Sequence, residues 1–238
     1  MKALAIITAR GGSKRIPRKN IKLFLGKPII KYSIDAAINS GCFSEVMVST
    51  DDYEIAKTAI EFKANVPFMR SIINSDDFST TVDVLLEVIE CYKQIGKKFD
   101  YICCIYPTAP FVTAEKIRIA FEKLHNSEAD SVVPIVKYGF PIQRSFKIKD
   151  GVVKMNWPEY LNTRSQDLDE VFHDCGQFYF IKVESFQKHK KIFTDFTIPI
   201  EMPESEVQDI DNEEDWKVAE IKYAFLMQKM KNNYNNNV

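Results

Sequence analysis

Two kinds of hydrophobic pattern alternate along the first 136 residues of the chain. Short, continuous apolar runs, typical of strands buried on both faces, occupy residues 3–7, 45–50, 65–69, 100–106 and 131–136. Between these runs, apolar residues recur at the spacing of a helix that buries one face. Strands that alternate with helices predict an α/β fold built on a doubly wound, mostly parallel sheet.

Capping and stop residues set the boundaries of the predicted helices. The first helix is predicted to have Pro28 in its first turn and to end at Gly41. Asp51 or Asp52 is expected to cap the second helix, and Ser79 or Thr80 the third. The fourth helix is predicted over residues 114–125. Each boundary therefore has a local physical reason.

The pattern changes after residue 136. Residues 142–155 alternate like strands on both sides of an Asp150-Gly151 turn, and residues 157–174 are polar and irregular. We interpret about 140–174 as an inserted arm, although a lid would have the same pattern. Residues 176–183 predict another strand, followed by a short helix and a final amphipathic helix. We expect one domain over 1–228 and a disordered tail over 229–238.

Composition narrows the functional classes. The 238 residues are 45% hydrophobic, enough for a sizeable core, and 32 basic against 33 acidic side chains give a net charge of −1. This balance favours neither nucleic acid nor an anionic membrane as a partner. The five cysteines lack metal-ligand spacing, and Met1-Lys2 leads directly into the first strand, so we expect a cytoplasmic protein with no membrane span.

A cationic loop, residues 9–20, follows the first strand. Its cations are Arg10, Lys14, Arg15, Arg18 and Lys19. They repel one another unless an anion lies among them, and the loop must lie beyond the carboxyl end of a strand, where open α/β sheets bind ligands. Gly11 and Gly12 lack Cβ atoms, so their backbone can approach a ligand and direct N–H groups at it. The loop is predicted to bind a triphosphate; a solvated basic surface is the alternative.

Asp209 and Asp211 flank Ile210 near the far end of the chain. Residues two apart in an extended segment face the same way, so both carboxylates can contact one Mg²⁺ while Ile210 is buried. A triphosphate needs such a metal, which favours this interpretation. The alternative is that one aspartate caps the last helix; Asp215 is assigned to that helix start.

The spacing R-x-x-S-K-x-x-P-x-K-N in the loop resembles the signature of the acylneuraminate (sialic acid) cytidylyltransferases. The matching residues are Arg10, Ser13, Lys14, Pro17, Lys19 and Asn20. The resemblance covers roughly residues 3–228 and implies transfer of CMP from CTP to the anomeric hydroxyl of a nine-carbon acidic sugar, a nonulosonic acid. It also implies Mg²⁺ on Asp209 and Asp211, and a homodimer in which the arm reaches the partner's site.

The resemblance assigns further roles by position. Arg10, Lys14, Lys19 and Asn20 would contact the triphosphate and ribose. Arg70 and a hydroxyl of Ser79, Thr80 or Thr81 would contact the nucleotide, and Tyr179 the sugar. Tyr106 is assigned to the nucleotide-binding set; it stands where the neuraminate members carry glutamine, which argues for a different sugar stereochemistry.

Residues 161–168 carry the polar groups that a polyhydroxylated carboxylate needs. Arg164 could clamp the sugar carboxylate, with Gln166 and Asp167 beside it, or Arg164 could pair with Asp167 in a solvated loop. His173 and Asp174 could form an acid–base pair, orient a ligand, or pair at a strand edge.

The segments N-T-R-S-Q-D-L and H-D-C-G resemble the branch of the family that acts on pseudaminic acid. The expected enzyme is therefore a cytidylyltransferase for a nonulosonic acid, with pseudaminic acid first among the candidates. Alternatives are the same reaction on N-acetylneuraminate, or a catalytically silent protein that binds nucleotide sugars.

Overall fold

The structure is a computed structural model that describes residues 1–235 of the chain. The strands are β1 (Ala3–Thr8), β2 (Leu23–Phe24), β3 (Lys27–Pro28), β4 (Glu45–Ser49), β5 (Tyr101–Ile105), β6 (Ser131–Lys137), β7 (Phe146–Lys149), β8 (Val152–Met155), β9 (Phe172–Asp174), β10 (Phe178–Lys182) and β11 (Thr197–Glu201). The helices are α1 (Ile30–Ser40), α2 (Tyr53–Glu61), α3 (Thr81–Gln94), α4 (Ala114–His125), α5 (Val183–His189) and α6 (Glu213–Asn235).

Seven strands form one sheet in the order β11-β6-β10-β5-β1-β4, with β9 paired to β6 off this path. Strand β1 runs parallel to β4 and β5, and β11 runs parallel to β6. Strand β10 is antiparallel to both of its neighbours, β5 and β6. The predicted α/β class with a mostly parallel sheet is confirmed, and β10 adds an antiparallel strand at its centre.

Strand β1 shows why the sheet needs a helical layer on each face. Ala5 and Ile7 belong to the core cluster shared with α1, α2 and α4, whereas Leu4 and Ile6 belong to the cluster shared with α3 and α5. All four side chains are fully buried. A strand whose residues 3–7 are all apolar can be stable only between two covering layers, as the continuous apolar run predicts.

The predicted helix signals act at the expected residues. The Asp52 carboxylate accepts hydrogen bonds from the N–H groups of Glu54 and Ile55 at the start of α2. Thr80 and Asp83 form a reciprocal capping box at the start of α3. Gly41 ends α1 with φ of 69°, a left-handed conformation that glycine adopts without strain.

Two predictions need correction and one strand was not predicted, and each case involves proline. Pro28 lies in β3, and α1 begins only at Ile30. Residues 65–69 form no named strand; a single bridge joins Asn65 to Met47, because Pro67 has no N–H with which to extend the ladder. Conversely, β11 contains Pro199, which hid it from prediction, but it lies at the sheet edge, where proline is tolerated.

The arm is a hairpin of β7 and β8 followed by short turns and β9. Asp150 and Gly151 connect the hairpin strands with φ values of 55° and 75°, so the predicted D-G turn is confirmed. Helix α6 runs through residues 229–235 of the predicted disordered tail, and residues 236–238 lie outside the described chain. Among residues 1–235, no helix combines the length and apolar content needed to cross a membrane.

Candidate active site

A cavity of about 610 Å³, here called the loop cavity, opens beyond the carboxyl ends of β1 and β5. Its lining residues are Thr8, Arg10, Ser13, Lys14, Arg15, Lys19, Asn20, Asp77, Tyr106, Pro107, Thr108, Asp209 and Asp211. The cationic loop and the two C-terminal aspartates therefore converge on one space, as the sequence predicts. Lys14 and Asp211, separated by most of the chain, line the same cavity.

A shared apolar cluster holds these distant segments together. Ile16 of the loop and Ile210 between the two aspartates are both fully buried, and both pack in the cluster that contains Phe24 and Trp216. The burial of Ile210 is the arrangement predicted for the Asp-Ile-Asp segment. Because Ile210 faces the core, its neighbours Asp209 and Asp211 face the cavity.

Lys19 and Arg15 connect the loop to Asp211. The Lys19 ammonium donates to the Ile210 carbonyl at 2.7 Å and lies 3.9 Å from the Asp211 carboxylate, while Arg15 pairs with Asp211 at 2.7 Å. Burial lowers the pKa of Lys19, and the nearby Asp211 and Asp209 carboxylates oppose that shift. The site thus holds cations and acids in contact.

The two aspartates differ in environment. Burial, followed by repulsion from Asp211, raises the pKa of Asp209 above its ordinary value. Asp209 beside a second carboxylate is a donor set suited to a divalent cation, which would favour the charged form of Asp209. Asp215 accepts hydrogen bonds from the N–H groups of Asp211 and Asn212, so it organises the start of α6.

Arg10 and Lys14 both bind Asp77, an acid that sequence reasoning missed. Arg10 donates to the Asp77 carboxylate at 2.8 Å and to the Asp76 carbonyl at 2.8 Å, and the Lys14 ammonium pairs with the same Asp77 carboxylate. These two cations hold the Asp77 pKa below its usual range. Nothing in the Asp76-Asp77 sequence separates this acid from an ordinary turn residue, so only the fold identifies it.

The β4–α2 connection positions the loop from the other side. The Gly11 N–H donates to Asp51 at 2.8 Å, and the Arg18 guanidinium pairs with Asp52 and Glu54. A Cβ on Gly11 would lie 2.8 Å from the Asp52 carboxylate, so a side chain does not fit there. The absence of a side chain at Gly11 is thus required, while the role of its N–H in binding the triphosphate stays a prediction.

Of the remaining predicted loop residues, Ser13 and Asn20 line the loop cavity and Gly12 does not. Ser13 lines the cavity, and Asn20 is buried with its amide donating to the Arg10 carbonyl at 2.8 Å, which fixes the backbone behind that guanidinium. Gly12 lies in open space, since a Cβ there would meet nothing within 4 Å, so sterics do not require glycine.

A second cavity of about 540 Å³, here called the adjacent cavity, shares Tyr106 and Asp209 with the loop cavity. Its other lining residues are Val136, His173, Asp174, Cys175, Gly176, Glu204, Val207, Gln208 and Lys222. His173 is exposed, and its ring lies 4.6 Å from that of Tyr138. Tyr179 is buried below this cavity, with its hydroxyl donating to Asp174 at 2.5 Å.

The residues outside the loop that were predicted to bind the nucleotide form hydrogen bonds with other protein groups. Arg70 is 7% exposed and donates to the hydroxyl and carbonyl oxygens of Ser49, and burial lowers its pKa. The Ser79 hydroxyl donates to Asp76, and the Thr80 hydroxyl caps α3. Of the three predicted hydroxyls, Thr81 approaches the cavities, 3.4 Å from the Tyr106 hydroxyl.

Three predicted sugar-binding residues of the arm, Arg164, Gln166 and Asp167, line neither the loop cavity nor the adjacent cavity of their own protomer. Arg164 forms a bidentate pair with Asp167 at 2.7 and 3.1 Å, and its side chain is 73% exposed. Gln166 lines a separate cavity beside Tyr138 and Glu170. Within one protomer, therefore, the structure shows the solvated Arg164–Asp167 pair that was the alternative interpretation of this segment.

An α/β sheet with a cation-rich cavity beyond the ends of its parallel strands, faced by two carboxylates, is typical of α/β proteins that bind a nucleotide. The family model described as Cytidylyltransferase matches residues 4–194. The chain belongs to this cytidylyltransferase family. A pseudaminic acid cytidylyltransferase from Campylobacter jejuni is 40% identical over 94% of this chain and 97% of the relative.

Two further comparisons extend this result. A CMP-N,N'-diacetyllegionaminic acid synthase from Legionella pneumophila is 33% identical over 92% of this chain and 95% of the relative. The solved structure of a CMP:2-keto-3-deoxy-manno-octonic acid synthetase complexed with CTP superposes with a TM-score of 0.68, covering 96% of this chain and 100% of that one. At 15% identity, this second likeness shows the fold alone.

Proposed function

We propose that this protein transfers CMP from CTP to the anomeric hydroxyl of a nonulosonic acid, with pseudaminic acid as the sugar, and releases pyrophosphate. The observation that carries the proposal is the convergence of Lys14, Lys19, Asp209 and Asp211 on the loop cavity. The 40% identity to a relative named for pseudaminic acid supports the choice of sugar, and the legionaminic acid relative supports the wider sugar class.

The cations of the loop would hold the triphosphate. The side chains of Arg10 and Lys14 are 37% and 80% exposed at the cavity, whereas that of Lys19 is 20% exposed and is held by the Ile210 carbonyl. Positive side chains in fixed positions stabilise the charge that develops on a leaving pyrophosphate. Arg15 would have to exchange its Asp211 contact for a phosphate oxygen or remain as a structural cation.

Asp209 and Asp211 would hold Mg²⁺. Among the described residues no group of three or more histidine, cysteine, aspartate or glutamate side chains could hold a metal, so the protein would supply two carboxylates and the substrate would supply other oxygens. Mg²⁺ bound by one or two carboxylates plus phosphates is a common arrangement. When bound, the metal supplies Lewis-acid stabilisation of phosphate charge and a lower pKa for a nearby hydroxyl.

The adjacent cavity would take the sugar. It shares Tyr106 and Asp209 with the loop cavity. A sugar hydroxyl placed where the two cavities meet can therefore face the α-phosphorus of a nucleotide bound by the loop. His173 and Tyr179 contribute from this side, Tyr179 through its bond to Asp174. Attack at phosphorus then needs positioning more than a dedicated strong base.

We further propose a cytoplasmic homodimer whose arm contributes to the partner's site. The hairpin is exposed and carries apolar side chains outward, with Ile148 77% and Val153 60% exposed. In a monomer this surface would remain in water, and it is of the kind that interfaces cover. Arg164, Gln166 and Asp167 would then face the sugar of the partner rather than that of their own protomer.

Product analysis tests the proposal directly. The protein is incubated with CTP, Mg²⁺ and a mixture of pseudaminic, legionaminic and N-acetylneuraminic acids, and the products are identified by mass spectrometry. We expect CMP-pseudaminic acid to form fastest. Another CMP-sugar in its place would correct the sugar, and CTP binding without any CMP-sugar would support a silent nucleotide-sugar-binding protein instead.

A further inference from the structure

Residues 202–212, here called the connecting segment, join β11 to α6 and carry Asp209 and Asp211 to the loop cavity. In the described chain this segment is irregular except for a single turn at Glu204–Glu206. A strand or a helix satisfies its carbonyl groups through its own hydrogen-bond pattern, whereas an irregular segment needs other donors. The positions of the two aspartates therefore depend on the side chains that hold the connecting segment.

Helix α6 holds the connecting segment at two points. Asp215 accepts a hydrogen bond from the Asp211 N–H at 2.9 Å. Seven residues later, the Lys222 ammonium donates to the Val207 carbonyl at 2.8 Å and, at a longer 3.3 Å, to the Glu204 carbonyl. Residues seven apart lie on one face of an α-helix, so a single rigid element fixes the segment both before and at the aspartate pair.

The sheet holds the same segment through Gln177, the residue before β10. Its side-chain amide donates to the Glu206 carbonyl at 2.7 Å, and its own carbonyl accepts from the Tyr106 N–H at 2.9 Å. Gln177 is 1% exposed, and its side-chain oxygen has no hydrogen-bond partner among the described residues. Because a buried, unpaired oxygen costs stability, the N–H donor is the part of this side chain that the fold uses.

We infer that Lys222 and Gln177 are positioning residues that hold Asp209 and Asp211 where both carboxylates can bind one Mg²⁺. The inference rests on the proposed function and deepens it, because it assigns the geometry of the metal site to residues outside the carboxylate pair. Both side chains donate to carbonyl groups that lie just before Asp209 in the chain. Removing partners that orient metal-binding side chains typically costs about 10- to 100-fold in metal affinity or activity.

The test measures the metal site with and without turnover. In Lys222→Met and in Gln177→Met, a side chain of similar length replaces the donor. We expect the affinity of the protein–CTP complex for Mn²⁺, measured without sugar by electron paramagnetic resonance, to fall by about 10-fold in each variant. The Mg²⁺ concentration that half-saturates pyrophosphate release in the presence of sugar should rise by a similar factor. Lys222→Arg keeps an N–H donor and should restore most of the Mn²⁺ affinity.

Lys182→Met is the matched control. The Lys182 ammonium also donates to a backbone carbonyl, that of Ser127 at 2.8 Å. Lys182 pairs with Tyr101 at the start of β5, whereas the loop cavity opens beyond the other end of that strand. The control therefore removes a similar hydrogen bond far from the cavity and should leave both metal measurements unchanged. Urea unfolding shows that each variant is folded.

The outcomes separate the inference from the proposed function. If folded Lys222→Met and Gln177→Met keep the wild-type Mn²⁺ affinity, the inference is overturned and the proposed function stands. If only one of the two variants folds, its Mn²⁺ affinity decides the inference. A wild-type protein–CTP complex that binds no Mn²⁺ would also overturn the inference. If the wild-type protein forms no CMP-sugar from any nonulosonic acid, the proposed function fails, and the Mn²⁺ affinities still decide whether the two residues position the carboxylate pair.

Discussion

Acidic side chains beside the loop cations govern how much positive charge a nucleotide meets. Asp77 engages Arg10 and Lys14, and Asp211 engages Arg15 and Lys19. A triphosphate must compete with these carboxylates for the same cations. Exposed ion pairs of this kind contribute little because water and salt screen them, so the competition should be measurable but small.

The Asp77→Asn variant should bind CTP more tightly than wild type. Removing the Asp77 charge frees Arg10 and Lys14 for phosphate, and we expect KM for CTP to fall by about two- to fivefold, with less change at high salt. Steady-state kinetics at two salt concentrations provide the measurement. Glu90→Gln, which removes an exposed acid paired to Lys93 on α3, is the control and should leave KM unchanged. A large loss of turnover in Asp77→Asn would instead make Asp77 part of the catalytic centre.

Single site residues could be predicted where their neighbours in the sequence indicated their role. Arg10, Lys14 and Lys19 could be predicted because their spacing lies within one loop, and Asp209 and Asp211 because they flank an apolar anchor. Asp77 could not, since it meets Arg10 across 67 positions of the chain. Arg164 was ambiguous because a guanidinium near a carboxylate serves a surface pair as readily as a substrate.

At the scale of elements, the start of α2 serves both stability and the site. Asp52 caps the helix and also pairs with Arg18 of the loop, which adopts a left-handed φ of 55°. Hydrogen bonding from Arg18, opposed by burial and aided by the helix N–H groups, lowers the pKa of Asp52 from 3.8 to about 2. One carboxylate therefore connects a helix terminus to the cationic loop.

Asp52→Ala should destabilise the fold by about 1 kcal/mol near neutral pH, through loss of the cap. Because the folded pKa is depressed, the contribution of the charge is present above the ordinary value of 3.8 and is lost as pH falls toward 2. The difference in unfolding free energy between variant and wild type should therefore narrow below about pH 4, as measured by urea unfolding.

Thr113→Ala provides the control for that pH dependence. Thr113 caps α4 through an uncharged hydroxyl that accepts from the Lys116 N–H. Its loss should destabilise the fold by a similar amount, with no narrowing at acid pH. A pH-independent difference for Asp52→Ala would contradict the role assigned to its charge.

Whole elements were predictable where periodicity and caps agreed. Helices α3 and α4 were predicted within a residue or two because caps and apolar spacing coincide there. Strand β11 was not, since its pairing to β6 depends on an edge position that sequence alone does not give. The antiparallel direction of β10 likewise follows from the path of the arm, which returns the chain to the cavity edge.

At the scale of the whole molecule, the exposed arm predicts a specific assembly. Ile148 and Val153 face each other across the hairpin ladder and carry apolar surface outward. Replacing both with aspartate should convert a dimer into a monomer and lower sugar turnover, because the arm would no longer reach the partner's site. Sedimentation equilibrium measures the mass. The control Ile60→Asp, on the exposed face of α2, should remain dimeric, and a monomeric wild-type protein would contradict the proposed assembly.

The central claim is that the loop cations and the Asp209–Asp211 pair act on one nucleotide. It is tested most directly by the rate of pyrophosphate release from CTP and sugar in Asp209→Asn, with Glu214→Gln as a control for charge near the start of α6. We predict a loss of at least about 100-fold in Asp209→Asn at saturating Mg²⁺, with the fold intact by circular dichroism and the control near wild type. A rate for Asp209→Asn equal to that of wild type would contradict the account.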